Sequence, residues 1–103
     1  MIGGLGATAL VGCDNSNGNG SYPRIISTWE HGLAANQEAW KKLTSGSNGI
    51  SSIESGVKIS EADPSVRSVG YGGLPDREGI VTLDACIMDK YSNCGSVSYL
   101  QNI

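Results

Sequence analysis

An apolar run at the start of the chain, followed by a polar stretch, limits how much of the sequence is left to fold. Ile2 to Val11 is uncharged, and its roughly ten residues are about half of what a membrane-crossing helix needs. A run of this length and character is typical of the apolar core of a signal peptide. The polar stretch from Asp14 to Ser21 indicates a flexible tether. About eighty residues then remain for a domain, a size at which a core alone supplies only a few kcal/mol.

The junction of the two segments, Leu10-Val11-Gly12-Cys13, resembles a bacterial lipobox, in which the cysteine is lipidated and becomes the mature N-terminus. We expect residues 1–13 to be a truncated lipoprotein signal peptide, residues 14–22 to be a flexible polar linker, and Cys13 to be the lipidation site. The protein is then expected in the bacterial periplasm or cell envelope, anchored to the membrane. No cation precedes Ile2, although signal peptides begin with a positive region. We therefore expect the true start, with or without a twin-arginine pair, to lie upstream.

Two other interpretations of this N-terminal segment stay open. The apolar run can also be a buried strand or helix of the domain. The glycines of Gly3-Gly4-Leu5-Gly6 superficially resemble a nucleotide-binding loop. That loop is disfavoured because such glycines follow a strand, and no strand precedes these.

The composition argues against several classes of partner. The net charge is −3, and the only adjacent cations are Lys41 and Lys42. Binding to a nucleic-acid backbone needs several cations on one face, so we expect no nucleic-acid partner. The chain has a single histidine, His31, and with Cys86 and Cys94 it does not complete a zinc ligand set. We therefore predict no metal site and no cofactor, and a structural or surface role for His31.

A strand and two helices are predicted for the first half of the domain. Arg24 to Thr28, after Pro23, is typical of a short buried strand. Helical spacing then predicts a first helix that ends at Gly46, followed by a second that begins at Ser47 or Asn48 and runs to about Ser60. The residues that define these helices are Leu33, Asn36, Ala39, Trp40 and Leu43, and then Ile50, Ile53 and Val57.

The second half of the domain is predicted to be strands. Val66 to Tyr71 is a possible strand, and the glycine-rich stretch after it is dense in turn residues. Ile80 to Met88 alternates between apolar and more polar residues, and Cys94 to Leu100 is expected to pair back on it as a hairpin. The order of elements predicts an α+β fold with helices on one face of an antiparallel sheet.

Three long motifs resemble one known family. The first is Ser27-Thr28-Trp29-Glu30-His31-Gly32, and the second runs from Arg67 to Gly79 as Arg-Ser-Val-Gly-Tyr-Gly-Gly-x-Pro-Asp-Arg-x-Gly. The third is the run from Val81 to Asp89 followed by Gly95-Ser96-Val97. In order and in register from about Pro23 to Ile103, they resemble the opening of bacterial glycosylasparaginases, which are N-terminal nucleophile hydrolases.

The resemblance implies the N-terminal part of an αββα four-layer sandwich, which is incomplete in this chain. Family members cleave themselves once and expose a threonine whose hydroxyl is the nucleophile and whose own amino group is the base. The implied substrates are glycoasparagine or β-aspartyl amides, and an oxyanion hole stabilises the intermediate. The threonine belongs to a later Asp-Thr motif of a second, missing β chain. No threonine here follows Asp, since Thr8, Thr28, Thr44 and Thr82 follow Ala, Ser, Leu and Val. We expect no catalytic residue in this chain and no activity from it alone.

The resemblance also implies roles for four residues. Trp29 matches a tryptophan that lines the substrate pocket, whereas a core tryptophan at a strand end is the simpler alternative. Ser68 matches a serine that supports the nucleophile, whereas a hydroxyl bonded within a turn is its alternative. Gly70 and Gly72 are expected to permit positive φ and tight backbone packing near the site.

Several other residues leave choices open. Cys86 and Cys94 can face each other across the hairpin if its register centres near Lys90, and export makes a disulfide possible. Two small buried thiols are the favoured interpretation. Asp84 is expected to be a structural hydrogen-bond hub, and a direct chemical role is its alternative. Ser51 replaces an aspartate usual in the family, which weakly favours a decayed gene.

The sequence therefore supports three hypotheses. The first is the N-terminal part of an amidohydrolase, and the second is an inactive truncated remnant. The third is a non-catalytic, lipid-anchored binding module that uses the pocket wall around Trp29.

Overall fold

Two helices and a two-stranded sheet make up the described part of the chain, residues 23–102 of a computed structural model. Helix α1 spans Gly32–Thr44 and α2 spans Gly49–Ala62, followed by a short 3₁₀ turn at Gly70–Gly72. Strand β1 spans Leu83–Met88 and β2 spans Cys94–Leu100. The predicted signal peptide, linker and Cys13 lie outside these residues. Within them, neither helix combines the length and the apolar character that crossing a bilayer requires.

Small side chains hold α1 and α2 together. Ser52, Gly56 and Ser60 recur every fourth residue and form the buried stripe of α2. A Cβ atom on Gly56 would lie 2.6 Å from the Ala35 carbonyl oxygen and 2.9 Å from the Cβ of Ala39. The two backbones therefore approach closely, with Ala39 only 3% exposed between them.

The helices were predicted correctly, but the large apolar residues do not form their interface. Leu33 of α1 is 66% exposed, and Trp40 is also exposed. In α2, Ile53 and Val57 are exposed beside the buried stripe of small residues. Close backbone contact selects small side chains, so the larger ones lie on the flanks of the helix pair.

The ends of the helices follow the predicted signals. Of the two predicted caps, Asn48 is the one used, because its side-chain oxygen accepts a hydrogen bond from the Ser51 N–H at 2.9 Å. The Ser52 hydroxyl adds a bond to the Asn48 carbonyl oxygen at 2.8 Å. Gly46, with φ of +98°, follows the end of α1 in the left-handed conformation that often terminates helices.

Two predicted strands are absent from the described residues. Residues 24–28 are irregular, with Ile26 90% exposed, because no neighbouring strand pairs with them there. Residues 66–71 form turns and the start of the 3₁₀ turn instead of a strand. Val66 is buried as expected, but turn residues before it and a left-handed Gly70 after it override its strand preference.

The predicted hairpin is present, and its turn is ordered by one carboxylate. Asp89 accepts hydrogen bonds from the Tyr91 N–H at 2.8 Å and the Asn93 N–H at 2.9 Å. At the open end, an irregularity between Leu83 and Ala85 lets Asp84 accept a bond from the Tyr99 N–H at 3.0 Å. Asp84 is thus a structural acceptor, as predicted, and β1 begins later than the alternation suggested.

The register separates the two cysteines of the hairpin. Cys86 lies opposite Ser96 and Cys94 lies opposite Met88. The pairing centres on Tyr91 and not on Lys90, so the two cysteines are diagonal neighbours, too far apart for an easy disulfide. Both thiols are free, and both residues are exposed, so the prediction of buried thiols is wrong.

An open groove of about 480 Å³ separates α2 from the hairpin. Apolar residues from both sides line it, namely Ile53 and Val57 from α2 and Ala85, Ile87 and Val97 from the strands. The predicted small α+β class is confirmed by this arrangement. The four-layer sandwich requires more strands and helices than residues 23–102 contain.

Candidate functional site

The C-terminal end of α2 anchors the turn that precedes α1. His31 Nδ1 lies 3.0 Å from the Ser60 hydroxyl oxygen, and the Ser60 hydroxyl donates to the His31 carbonyl oxygen at 3.4 Å. Both contacts join positions 29 residues apart in sequence. His31 is therefore structural, as predicted, and its contact fixes the start of α1 to the last turn of α2.

The same end of α2 holds the glycine-rich segment. Gly70 has φ of +59°, and a Cβ atom there would lie 2.2 Å from the carbonyl oxygen of Glu61. A Cβ atom on Gly72 would lie 2.3 Å from the Val66 carbonyl oxygen and 2.6 Å from that of Pro64. Gly70 thus has the positive φ and the close packing expected of it, whereas Gly72 is required only by close packing.

Trp29 lies in the turn before α1 in an unusual backbone conformation. Its φ is +69°, which is a genuine outlier for a bulky residue and costs of the order of 1–3 kcal/mol. Its carbonyl oxygen accepts the Gly32 N–H at 3.2 Å. The side chain is 77% exposed, so Trp29 is not a core residue of the described structure.

Ser68 is exposed and lines an open cleft between the two anchored segments. The cleft has a volume of about 670 Å³. Glu30, the residue after Trp29, lies on the same surface of this cleft as Ser68. The other side chains around it include His31, Asp63, Arg67 and Leu74.

Charges of both signs surround this cleft. Hydrogen bonds from the Ser65 hydroxyl at 2.7 Å and the Ser65 N–H at 2.8 Å lower the pKa of the Asp63 carboxyl below its ordinary value of 3.8. The His31 Nε2 atom is buried and has no hydrogen-bond partner. The lining of the cleft thus includes both the Asp63 carboxylate and the Arg67 guanidinium.

Potential metal ligands do not cluster in the described part of the chain. Across residues 23–102, no group of three or more His, Cys, Asp and Glu side chains is placed to hold a metal ion. Thr44 ends α1, and its hydroxyl donates to the Trp40 carbonyl oxygen at 2.9 Å, a common bond for a helical threonine.

Sequence reasoning missed the element that brings the site segments together. Neither Ser60 nor Glu61 was singled out, although they contact the Trp29 turn and the glycine-rich turn respectively. The available signal was the four-residue spacing of Ser52, Gly56 and Ser60, which indicates a close helix contact. His31 was recognised, but its partner could not be inferred from one sequence.

Comparisons with known proteins agree with the motifs. The asparaginase family profile matches residues 18–103. The chain is 56% identical over 81 residues to an N(4)-(β-N-acetylglucosaminyl)-L-asparaginase of Elizabethkingia miricola, covering 79% of this chain and 24% of that protein. It is 34% identical over 95 residues to proteins of the same name from Mus musculus and Rattus norvegicus, covering 91% of this chain and 27% of each.

These matches establish the family of the chain. It belongs to the asparaginase family, and the relatives described above are named N(4)-(β-N-acetylglucosaminyl)-L-asparaginases. The chain spans about a quarter of the length of these curated relatives.

Proposed function

We propose that this chain is the N-terminal part of an autoprocessed amidohydrolase that cleaves the amide between N-acetylglucosamine and asparagine, or β-aspartyl amides. The names of the relatives support this substrate class. The structural observation that carries the proposal is the docking of the Trp29 turn and the Ser68 segment on one end of α2. Two family motifs far apart in sequence thereby share one open cleft.

In this proposal each site residue has a defined task. Trp29 forms a wall of the substrate pocket, and Ser68 supports the amino group and hydroxyl of the nucleophilic threonine. Gly70 and Gly72 let the backbone pass close to α2, so that Ser68 is carried on a rigid turn. The threonine and the oxyanion hole come from the β chain of the full-length protein, and residues 1–103 alone are inactive.

The exposed apolar surfaces favour a partial domain over a free-standing binding module. The groove between α2 and the hairpin is lined largely by apolar side chains that remain exposed. Exposed surface of this kind is an aggregation hazard in a separate domain. In the proposed four-layer sandwich, the remaining strands and helices cover it. One observation favours the alternative of an inactive remnant: Ser51 stands where the family usually has an aspartate.

The proposal also includes the cell envelope as the location, with Cys13 lipidated as a membrane anchor. Labelling cells with a radioactive fatty acid tests this directly. We expect label on the native protein and none on a Cys13→Ser variant. Label on both, or on neither, would remove the anchor from the proposal.

A chimaera tests the enzymatic proposal. Residues 23–103 of this chain replace the matched quarter of the Elizabethkingia miricola protein, and release of aspartate from glycoasparagine is measured. We expect the chimaera to cleave itself and to hydrolyse the substrate. Trp29→Ala should raise KM, and Ser68→Ala should lower kcat by about 10²-fold or more, as losing one oxyanion or nucleophile contact does. Ser51→Ala is the matched serine control and should behave like the native chimaera.

A chimaera that folds and cleaves itself but does not hydrolyse glycoasparagine would contradict the enzymatic assignment of these residues. Equal losses in Ser68→Ala and Ser51→Ala would instead show that the serine assignment is wrong. Size-exclusion chromatography of each variant separates these outcomes from misfolding.

A further inference from the structure

We infer that His31 is a positioning residue whose hydrogen bond with Ser60 fixes the Trp29 turn relative to the Ser68 turn. The purpose of this role rests on the proposed function, because the hydrogen bond holds one segment of the proposed pocket in place relative to the other. The contact itself is a property of the described structure.

Backbone strain at Trp29 requires a compensating contact. The left-handed conformation of a bulky residue persists only when the surroundings over-determine it. Two residues later, the His31 ring and carbonyl group both contact Ser60, at 3.0 and 3.4 Å. The His31–Ser60 pair is thus the hydrogen-bonded tie between the strained turn and the body of the helix pair.

The chain before Trp29 is folded back on the start of α1. A Cβ atom on Gly32 would lie 2.3 Å from the Ser27 hydroxyl oxygen and 2.7 Å from its Cβ. The chain must reverse within the residues between these two positions, and the positive φ of Trp29 lies there. Releasing His31 from Ser60 frees the start of α1 to move, which removes the need for the strained conformation.

The segment that carries Ser68 and Gly70 packs on the residue of α2 next to Ser60. Gly70 packs on the backbone of Glu61, one residue after Ser60. Successive residues of one helical turn therefore hold the two segments, and their relative placement is set by a single rigid element. A change at Ser60 alters one segment and leaves the contact of the other in place.

We assign the ring hydrogen of His31 to Nδ1. Nδ1 then donates to the Ser60 oxygen while the Ser60 hydroxyl donates to the His31 carbonyl oxygen. Nε2 is buried and unpartnered. Asparagine places an amide N–H at the position of Nδ1, so it should replace histidine, whereas leucine keeps the bulk and loses the donor.

NMR of the 103-residue chain tests the inference without an activity assay. A residue with positive φ has a short distance between its amide and α hydrogens, so Trp29 should give a strong intraresidue cross-peak. His31→Leu and Ser60→Ala should each lower the equilibrium constant for the left-handed conformation of Trp29 by about fivefold, the effect of one ordinary hydrogen bond. His31→Asn should restore it, and Ser51→Ala should leave it unchanged. Helix content, from circular dichroism, should stay the same in Ser60→Ala.

Two results would overturn the inference. One is a Trp29 signature that is absent from a native chain whose circular dichroism shows folded helices. The other is a signature that persists in both His31→Leu and Ser60→Ala. In the active chimaera, His31→Leu should raise KM more than it lowers kcat, with rescue by His31→Asn. An inactive native chimaera would refute the proposed function and leave the NMR result standing.

Discussion

The helix pair and the hairpin are stabilised in different ways. In the helix pair, Gly56 lets two backbones meet, and Ala39 and Ser52 are almost fully buried between them. In the hairpin, most side chains of both strands are exposed, including Tyr99 at 75%. The helices obtain stability from each other, whereas the strands have only their own ladder and an open groove beside them.

The difference shows which half of the described chain organises the candidate site. Both segments of the candidate site dock on α2, through His31 on Ser60 and Gly70 on Glu61. Three or more strands, or packing on a helix, are needed to make a sheet independently stable. The hairpin is therefore expected to gain its stability from further parts of the protein, while the α2 end is already formed.

The largest expected effect is a bulky substitution in the helix contact. Gly56→Val places methyl groups where the Ala35 carbonyl oxygen and the Ala39 Cβ already lie, and overpacking of this kind costs about 1–3 kcal/mol. Urea unfolding followed at 222 nm measures the loss. Gly49→Ala, where an added Cβ meets nothing within 4 Å, is the control and should cost much less. Similar losses in the two variants would mean that the helices do not touch at Gly56.

An effect of comparable size is expected at Gly70. Gly70→Ala combines left-handed strain, about 1–2 kcal/mol, with a clash against the Glu61 backbone. Gly79→Ala has the same sign of φ, +82°, but open space around it, so it isolates the strain alone. We expect Gly70→Ala to cost more than Gly79→Ala in the same urea experiment. Equal costs would show that the glycine-rich turn is not docked on α2.

The cap of α2 should contribute about 1 kcal/mol. Asn48→Ala removes the acceptor for the Ser51 N–H, and thermal unfolding should shift to lower temperature. Asn48→Asp retains an acceptor and should be close to native. A loss of equal size in Asn48→Asp would point to another role for this side chain.

Hydrogen exchange compares the two regions directly. Amides in regions with few buried contacts open at low free energy, so those of β1 and β2 should exchange before those near Ala39 and Gly56. Asp84→Ala should accelerate exchange of the Tyr99 amide, whose acceptor it removes, without changing the helix pair. Slower exchange in the hairpin than in the helices would reverse the comparison.

The smallest effect is electrostatic. The lowered pKa of Asp63 means that its contribution to stability is complete above the ordinary value of 3.8 and is lost as the pH falls through its folded value. Ser65→Ala removes the largest cause of the lowering, so the Asp63 midpoint should rise toward its ordinary value in an NMR titration. Asp89 of the hairpin, whose pKa is lowered chiefly by Asn93, is an internal reference that should not move.

Local sequence signals predicted the helices and the hairpin because each signal acts over a few residues. Asn48 and Gly46 mark helix ends through their own backbone chemistry, and the alternation before Met88 requires a strand. The two wrong strands, at 24–28 and 66–71, had suitable side chains but no neighbouring strand in the described part of the chain. Strand propensity depends on such a partner, which a single sequence does not reveal.

Only part of the candidate site could be predicted, because contacts between segments distant in sequence leave no local signal. The family resemblance pointed to Trp29, Ser68 and the glycines, and the structure places their segments around one cleft. The tie between those segments, His31 with Ser60, joins positions 29 residues apart and has no local signature. The predicted register of the hairpin that carries the cysteines was wrong by one position, because the hydrogen bonds of Asp89 set the turn.

The most direct test of the account is to determine the coding sequence beyond Ile103 and the N-terminus of its processed product. We expect an in-frame continuation to an Asp-Thr junction and a second polypeptide, found by mass spectrometry, that begins with that threonine. A stop codon directly after Ile103, with no second open frame encoding such a threonine, would contradict the account and leave an inactive remnant.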